Sequence, residues 1–121
     1  MLRRLDISTV GAEIGQALTP QVTAGNSLKV TVRALDDTMA LVTPTTMRYR
    51  VDDVNSGQAI ADWTSVTPAA PAVFVIPPTI NANRNPGYDF ERRQLMVEAT
   101  DAEGTLRDTY DYLLFNTLGT V

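Results

Sequence analysis

Residues 27–35 read Ser-Leu-Lys-Val-Thr-Val-Arg-Ala-Leu, and this stretch decides the fold class. Apolar side chains recur at every second position, because Leu28, Val30, Val32 and Ala34 alternate with polar residues. Successive side chains of a β-strand point to opposite faces, so the spacing predicts a strand with one buried side and one side facing water. Helix signals are scarce along the rest of the chain.

Similar segments follow along the chain, separated by clusters of Gly, Pro, Asn and Asp that are typical of turns. The predicted strands are 14–18, which is the weakest, and 27–35, 45–52, 60–66, 72–76, 91–100 and 105–116. Residues 101–104 predict the turn of a hairpin, and Gly57 is predicted at positive φ in an earlier turn. About seven strands predict an all-β fold, an antiparallel β-sandwich of immunoglobulin or fibronectin type III kind with an N-terminal extension.

Two groups of large apolar residues complete this fold prediction. Tyr49 and Trp63 are predicted in the core, because a sandwich of this size usually buries large aromatic side chains between its sheets. Residues 39–42, Met-Ala-Leu-Val, are either a further strand or an exposed contact patch. The strand is favoured because apolar residues in globular chains mostly find cover.

Composition excludes several classes of function. The chain has 121 residues, which fits one domain, a net charge of −4, and no Cys or His. Disulfides, thiolate metal sites, a Cys nucleophile and an imidazole base are therefore excluded. We expect no enzyme activity, no catalytic residue, no metal and no cofactor. The negative charge argues against nucleic acid and anionic membranes as partners, and no apolar run approaches the roughly 20 residues of a membrane span.

Paired acidic residues lie near the ends of predicted strands, at 36–37, 52–53 and 101–103. Oxygen ligands that converge from several loops build calcium sites, but the spacing here matches no calcium-binding loop. We interpret these acids as turn and surface residues that hydrogen-bond the nearby backbone.

The first 19 residues fit the sandwich least well, since Gly11, Gly15 and mixed polarity weaken both strand and helix there. Residues 1–19 are interpreted as an N-terminal arm that orders on a partner or as a weak first strand, and residues 20–121 as the sandwich. No signal-peptide pattern is present, so we expect the protein to work in solution.

A partner interface is predicted at the arm, at an open sheet edge and at the arginine doublets. Open edges present unpaired backbone groups, and arginine is enriched where binding energy concentrates. The candidate interface residues are Leu2, Arg3, Arg4, Leu5, Ile7, Met39, Leu41, Arg92 and Arg93.

A family resemblance rests on the order of strands and turns between about residues 22 and 118. Its markers are residues 49–53 (Tyr-Arg-Val-Asp-Asp), Gly57, 62–68 (Asp-Trp-Thr-Ser-Val-Thr-Pro) and 95–101 (Leu-Met-Val-Glu-Ala-Thr-Asp) with Gly104. This succession resembles the small immunoglobulin-like virion proteins of tailed bacteriophages. The resemblance brings no functional residues with it.

The resemblance implies a non-enzymatic structural virion protein. It points first to a capsid decoration or cement protein that bridges major shell subunits and is assembled into the virion in the host cytoplasm. The alternatives are a head-tail junction or tail accessory module, and an adhesion or carbohydrate-binding immunoglobulin-like domain. Exposed aromatic side chains on loops favour the last alternative, for which Tyr88 and Phe90 are the candidates. Implied partners are major capsid or other virion proteins, and self-association into a homo-oligomer stays open.

Overall fold

A computed structural model of the protein describes residues 2–10, 13–14, 19–84 and 87–115. Within these ranges the chain forms nine strands and no helix, so no helix of the described residues is long and apolar enough to span a membrane. The strands are β1 (Arg4–Val10), β2 (Glu13–Ile14), β3 (Pro20–Thr23), β4 (Leu28–Leu35), β5 (Thr46–Asp53), β6 (Ala59–Val66), β7 (Ala72–Ile76), β8 (Phe90–Asp101) and β9 (Gly104–Phe115).

The strands form two sheets that pack into a β-sandwich, which confirms the all-β prediction. One sheet has three strands in the order β1-β4-β7, and the other has six in the order β2-β3-β9-β8-β5-β6. Neighbouring strands are antiparallel except β3 and β9, which run parallel. Because β4 and β5 lie in different sheets, as do β6 and β7, the connections between them cross the sandwich.

The core lies between the inner faces of the two sheets. The four apolar residues predicted to share one side of β4 are 0–1% exposed, whereas Lys29 on the same strand faces solvent. Tyr49 on β5 is buried, as predicted, and its ring stacks on Phe74 of β7 with centroids 4.6 Å apart and planes 13° apart. This ring contact joins the sheets and places β7 over β5.

The turn predictions agree with the backbone. Gly57 has φ +72°, a left-handed conformation that costs glycine little, which confirms its predicted role between β5 and β6. The β8–β9 hairpin turns at residues 101–104, where Asp101 Oδ1 accepts hydrogen bonds from the backbone N–H groups of Glu103 and Gly104 at 2.8 and 3.0 Å.

For residues 1–19 the sequence predicts an arm or a weak first strand, and residues 4–10 form a strand. All seven residues of β1 pair with β4, and Leu5 and Ile7 face the core from it. The Leu2 backbone N–H also donates to Asp101 Oδ2 at 3.0 Å, which ties the start of the described chain to the β8–β9 hairpin. Apolar residues on alternate positions therefore make 4–10 a strand of the fold. Of the predicted weak strand at 14–18, Ile14 belongs to β2, and 15–18 lie outside the described residues.

Residues 39–42 do not form the favoured strand. Leu41 makes one isolated bridge to Leu35, while Met39 has φ +66° in a turn closed by Asp36. Asp36 Oδ1 accepts hydrogen bonds from the backbone N–H groups of Thr38 and Ala40, and this local network holds the turn in place of sheet pairing. Met39 and Leu41 are 57% and 45% exposed, so the segment presents apolar surface to solvent.

Candidate functional site

The outer face of the six-stranded sheet carries a cluster of charged and aromatic side chains, which we call the arginine–tryptophan cluster. It consists of Arg48 and Arg50 on β5, Trp63 on β6, Glu98 on β8 and Arg107 on β9. Strand alternation sends Met47, Tyr49 and Val51 into the core, so the residues between them point outward. The cluster follows directly from the period of two along β5.

Glu98 lies at the centre of the cluster, between two arginines on neighbouring strands. The register places Glu98 opposite Arg48 on one side and opposite Arg107 on the other. Its carboxylate accepts hydrogen bonds from Arg48 Nε at 2.7 Å and from Arg107 Nε at 2.5 Å. The hydrogen bond from Arg48, followed by that from Arg107, lowers the pKa of Glu98, which therefore stays ionised at neutral pH.

Trp63 lies over the arginines from the edge of the sheet. The guanidinium carbon of Arg48 is 4.1 Å from the Trp63 ring centroid, while those of Arg50 and Arg107 lie 5.6 and 5.9 Å away. These distances fall within the range of cation–π attraction. The pairing of β5 with β6 shifts register on both sides of Val51, and this bulge sets the position of Trp63 beside Arg50.

The electrostatics of the cluster leave it slightly positive on a chain of net charge −4. Arg50 pairs with Asp52 at 2.8 Å, so three arginines face two carboxylates. The side chains of Arg48 and Arg107 remain 42% and 59% exposed. A guanidinium has five N–H donors, and each of these arginines uses Nε for Glu98, so both retain donors for a carboxylate of a partner.

A second exposed surface is formed at the far end of the same sheet, around the start of β8. Val54, Tyr88 and Phe90 are 47%, 58% and 42% exposed, and the Phe90 ring lies 6.0 Å from that of Phe115. A shallow cleft of about 390 Å³ is lined by Asn55, Tyr88, Asp89, Phe90 and Arg92. We call these five lining residues the aromatic cleft.

The second member of the Arg92-Arg93 doublet lies inside the protein, which corrects its prediction as an interface residue. Arg93 is 0% exposed and donates to the carbonyl oxygens of Ile80 and Ala82 at 2.8 and 2.9 Å and to Glu91 Oε1 at 2.9 Å. Glu91 is also fully buried. Consecutive residues of a strand face opposite ways, so Arg92 faces solvent while Arg93 points inward and holds the β7–β8 connection.

A neutral polar network continues from this ion pair. The Tyr112 hydroxyl donates to Asn81 Oδ1 at 2.7 Å, and Asn81 Nδ2 donates to the Asn26 carbonyl oxygen at 2.9 Å. Burial raises the pKa of the Tyr112 hydroxyl, which therefore stays protonated and able to donate. The network joins β9, the β7–β8 connection and the turn before β4, so it stabilises the fold rather than offering a binding site.

The remaining predicted interface residues do not form one surface. Leu2 and Leu5 are 7% and 5% exposed and Ile7 is half-buried, because their side chains pack in the core. This corrects the prediction that they face a partner. The exposed candidates lie in two separate places. The first place is one end of the three-stranded sheet, which holds Arg3, Arg4, Met39 and Leu41.

Arg92 lies elsewhere, on the six-stranded sheet. It pairs with Leu113, six positions along β9 from Arg107, which corresponds to about 20 Å. It therefore borders the aromatic cleft and is remote from the arginine–tryptophan cluster.

Sequence reasoning missed the arginine–tryptophan cluster because Trp63 was placed in the core, which is wrong. Trp63 shares strand phase with Ser65, whereas Val66 pairs with the buried Met47. That phase was a usable signal, because Val66 on the inner face requires Ser65 and Trp63 on the outer one. Predicting that Glu98 pairs with Arg107 requires the register of the β8–β9 hairpin, which the sequence left undetermined.

Among the paired acids, Asp36, Asp53 and Asp101 accept hydrogen bonds within turns, whereas Asp52 pairs with Arg50 on β5. Asp101 closes the β8–β9 turn, and its pKa is lowered first by the hydrogen bond from the Glu103 backbone N–H. Among the described residues no three acidic side chains come close enough to hold a metal ion.

Comparison with known proteins yields a fold relationship only. No family model and no curated protein matches the chain. Among solved structures it is similar to an engineered protein whose crystal structure was determined at 1.98 Å by the Northeast Structural Genomics Consortium, with a TM-score of 0.52 and 18% identity. The match covers 92% of this chain but 20% of that one. Similarity at this identity shows that the described fold occurs in an experimental structure.

Proposed function

We propose that this chain is a non-enzymatic binding module of immunoglobulin-like fold that acts as a structural protein of a bacteriophage virion, first as a capsid decoration or cement protein. The arginine–tryptophan cluster is the observation that carries the binding role. Tryptophan and arginine are the residues most enriched at binding hot spots, and here they lie together on an exposed sheet face.

The strand order supports the immunoglobulin-like assignment. With β1, β4, β5, β6, β7, β8 and β9 taken as strands A, B, C, C′, E, F and G, the sheets read A-B-E and C′-C-F-G. Immunoglobulin and fibronectin type III domains share this two-sheet architecture. Tyr49 takes the core place on strand C that antibody domains give to tryptophan, and its stack on Phe74 joins the sheets without a disulfide.

The geometry of the cluster fits a protein partner that presents carboxylates. Glu98 fixes Arg48 and Arg107 in place, so little side-chain entropy is lost when a partner binds. Trp63 supplies a rigid apolar surface beside them. A cement protein binds many equivalent sites on a shell, so a modest contact at each copy adds up by mass action. The virion setting itself rests on the family resemblance.

A sedimentation experiment tests this proposal. The purified chain is mixed with assembled shells of the phage that encodes it, and the fraction that pellets with the shells is measured against protein concentration. We expect saturable binding that Trp63→Ala and Arg107→Ala weaken by about tenfold or more, as truncation of a hot-spot residue does.

Arg33→Ala is the matched control, because Arg33 lies on the outer face of the other sheet and bonds only weakly to Ser8, at 3.5 Å. Thermal unfolding of each variant checks that it folds. Equal losses for Arg107→Ala and Arg33→Ala would reject this face as the binding site. A wild-type chain that stays in the supernatant at every concentration would reject the role on the shell.

The aromatic cleft favours a second candidate function, the binding of a carbohydrate. Tyr88 and Phe90 present exposed rings, and Asp89, Asn55 and Arg92 offer hydrogen-bonding groups around them. Aromatic faces with polar groups at their rim suit the apolar and hydroxyl faces of a sugar ring. Binding to a glycan array that Phe90→Ala abolishes and Trp63→Ala leaves intact would support this candidate over the first.

A further inference from the structure

The edge strand β7 presents an unprotected apolar edge. It pairs with β4 on one side and with no described strand on the other, so a row of its backbone groups is open for pairing. Val73 and Val75 on its outer face are 50% and 51% exposed. Residues 72–76 carry no charge and no proline, although prolines at 71 and 77 limit the open edge to about five residues.

The other sheet edges among the described residues are protected. On β1, Arg4 and Asp6 place charges along the edge, and β2 is only two residues long. On β6, the register shifts and the exposed Asp62 interrupt a regular edge. Charges, short strands and bulges are the devices that keep sheet edges from pairing with other chains. The five residues of β7 contain no charge and no bulge, so among the described edges this one can accept a strand from another chain.

The space beside β7 has room for one added strand. The Tyr49–Phe74 stack places β7 over β5, and β6 continues the other sheet one strand further. The inner face of β6 therefore lies beneath the open edge of β7, and no described strand lies above it. By their pairing with the buried side of β5, Ala61, Thr64 and Val66 belong to that inner face, and Thr64 is exposed. We call the space between the β7 edge and these residues the strand slot.

The occupant must be uncharged and about five residues long to match this slot. Residues 116–121, Asn-Thr-Leu-Gly-Thr-Val, follow β9 and contain no ionisable side chain and no proline. We propose that residues 116–121 of one copy of this chain add to the β7 edge of a neighbouring copy and fill its strand slot. The backbone hydrogen bonds give affinity, and the apolar side chains pack against Val73, Val75 and β6.

Donation within one copy is excluded by distance. Three strand spacings of about 4.8 Å and one intersheet distance of about 10 Å separate β9 from the slot, which amounts to about 17 Å. Six extended residues span at most about 20 Å, so a segment that crosses this gap has almost no residues left to pair. The donor must come from another copy. Donor and acceptor are different surfaces, so the assembly is head-to-tail and can extend beyond a dimer.

Two complementary variants test this inference in solution by light scattering after size-exclusion chromatography. Removal of residues 116–121 leaves every described strand intact and yields a chain that can only accept. Val73→Lys places a charge on the exposed face of β7, beside the edge that would receive the donor, and yields a chain that can only donate. We expect concentration-dependent oligomers for wild type, monomers for each variant alone, and a 1:1 heterodimer that grows no further when the two are mixed.

Val10→Lys is the matched control, because Val10 is 66% exposed on the outer face of the same sheet but belongs to β1. It should self-associate as wild type does, whereas Val73→Lys should weaken self-association by about tenfold or more. If Val73→Lys does not fold, Val75→Glu replaces it, since Val75 lies opposite Lys29 and the new carboxylate gains an ion pair.

Three results would overturn the inference. A wild-type chain that stays monomeric at all accessible concentrations removes the assembly altogether. Oligomers that survive removal of residues 116–121 assign the contact to another segment. A mixture of the two variants that stays monomeric excludes the donor–acceptor arrangement. None of these results depends on shell binding through the arginine–tryptophan cluster, so the two proposals fail separately.

Discussion

Replacement of Tyr112 by Phe tests whether the buried polar network holds the β7–β8 connection in place. The substitution removes one hydroxyl and keeps the ring in the core. In the wild-type protein this hydroxyl donates to Asn81 Oδ1 at 2.7 Å, and both residues are at most 1% exposed. The variant therefore leaves a buried amide oxygen without its donor. Such an orphaned acceptor costs about 1–3 kcal/mol.

The contacts of Asn81 place the expected cost of the orphaned acceptor in the upper part of the range of about 1–3 kcal/mol. Its backbone carbonyl accepts from the Gly25 N–H at 2.7 Å and its side-chain amide donates to the Asn26 carbonyl at 2.9 Å. The side chain is thus fixed from two sides and cannot turn its oxygen toward water. We expect Tyr112→Phe to lower the free energy of unfolding by about 2–3 kcal/mol, measured by urea titration.

Tyr110→Phe is the control for this measurement. Its hydroxyl bonds Thr9 at 2.6 Å in a partly buried place, where water can replace the lost partner. We expect a cost below about 1 kcal/mol for that variant. A loss for Tyr112→Phe no larger than for Tyr110→Phe would refute the assigned role of the network. In a double-mutant cycle, Asn81→Ala should make the loss of the Tyr112 hydroxyl less costly, and the remaining cost reflects the contact of this hydroxyl with Arg93.

Three further predictions concern a glutamate, two buried tyrosines and a turn glycine. Glu98→Gln should lower the free energy of unfolding at neutral pH and make it depend less on pH under acidic conditions. Because Arg48 lowers the pKa of Glu98, ionised Glu98 stabilises the fold above the usual glutamate pKa of about 4.3, and this stabilisation is lost as the pH falls below that value. Stability should also fall above about pH 10, because burial raises the pKa of Tyr49 and Tyr112 and only the unfolded chain ionises them there; alkaline titrations of the tyrosine-to-Phe variants check this. Gly57→Ala should cost about 1 kcal/mol in chemical denaturation through the positive φ alone, since no atom lies within 4 Å of the added methyl group.

Local alternation made most of the sandwich predictable. The period of two along β4 and β5 fixes which side chains are buried, and the turn signals at Gly57 and Gly104 place the hairpins. β1 was harder because its charged residues, Arg4 and Asp6, obscure the alternation of Leu5 and Ile7. Charges on an edge strand face solvent beside the edge, so polarity there carries little information about pairing.

The partners of Arg93 and Glu98 could not be predicted from the sequence, for a different reason. Arg93 can be buried because Glu91 and two carbonyl oxygens of the β7–β8 connection accept its hydrogen bonds. A local sequence pattern does not predict that this connection folds back over Arg93. Glu98 joins two arginines that are 50 and 9 positions away in sequence. Such partners follow from strand register, which depends on the whole hairpin and not on one strand.

Salt dependence separates the two proposed contacts, because they use different physics. The arginine–tryptophan cluster offers exposed guanidinium groups, and attraction between exposed charges is screened over about 8 Å at physiological ionic strength. The strand slot is lined by β7 and the inner face of β6, and the proposed donor has no charged side chain. Shell binding should therefore weaken as salt rises from about 0.05 to 0.5 M, mainly through the association rate.

Self-association should respond in the opposite sense or not at all. It depends on backbone hydrogen bonds and apolar burial, which salt does not screen, and excluded salts such as sulfate strengthen it. Light scattering of the free chain and shell sedimentation in the same salt series measure both contacts. If sodium chloride dissociated the oligomers and left shell binding unchanged, self-association and not shell binding would depend on charge. The apolar edge of β7 would then no longer explain assembly.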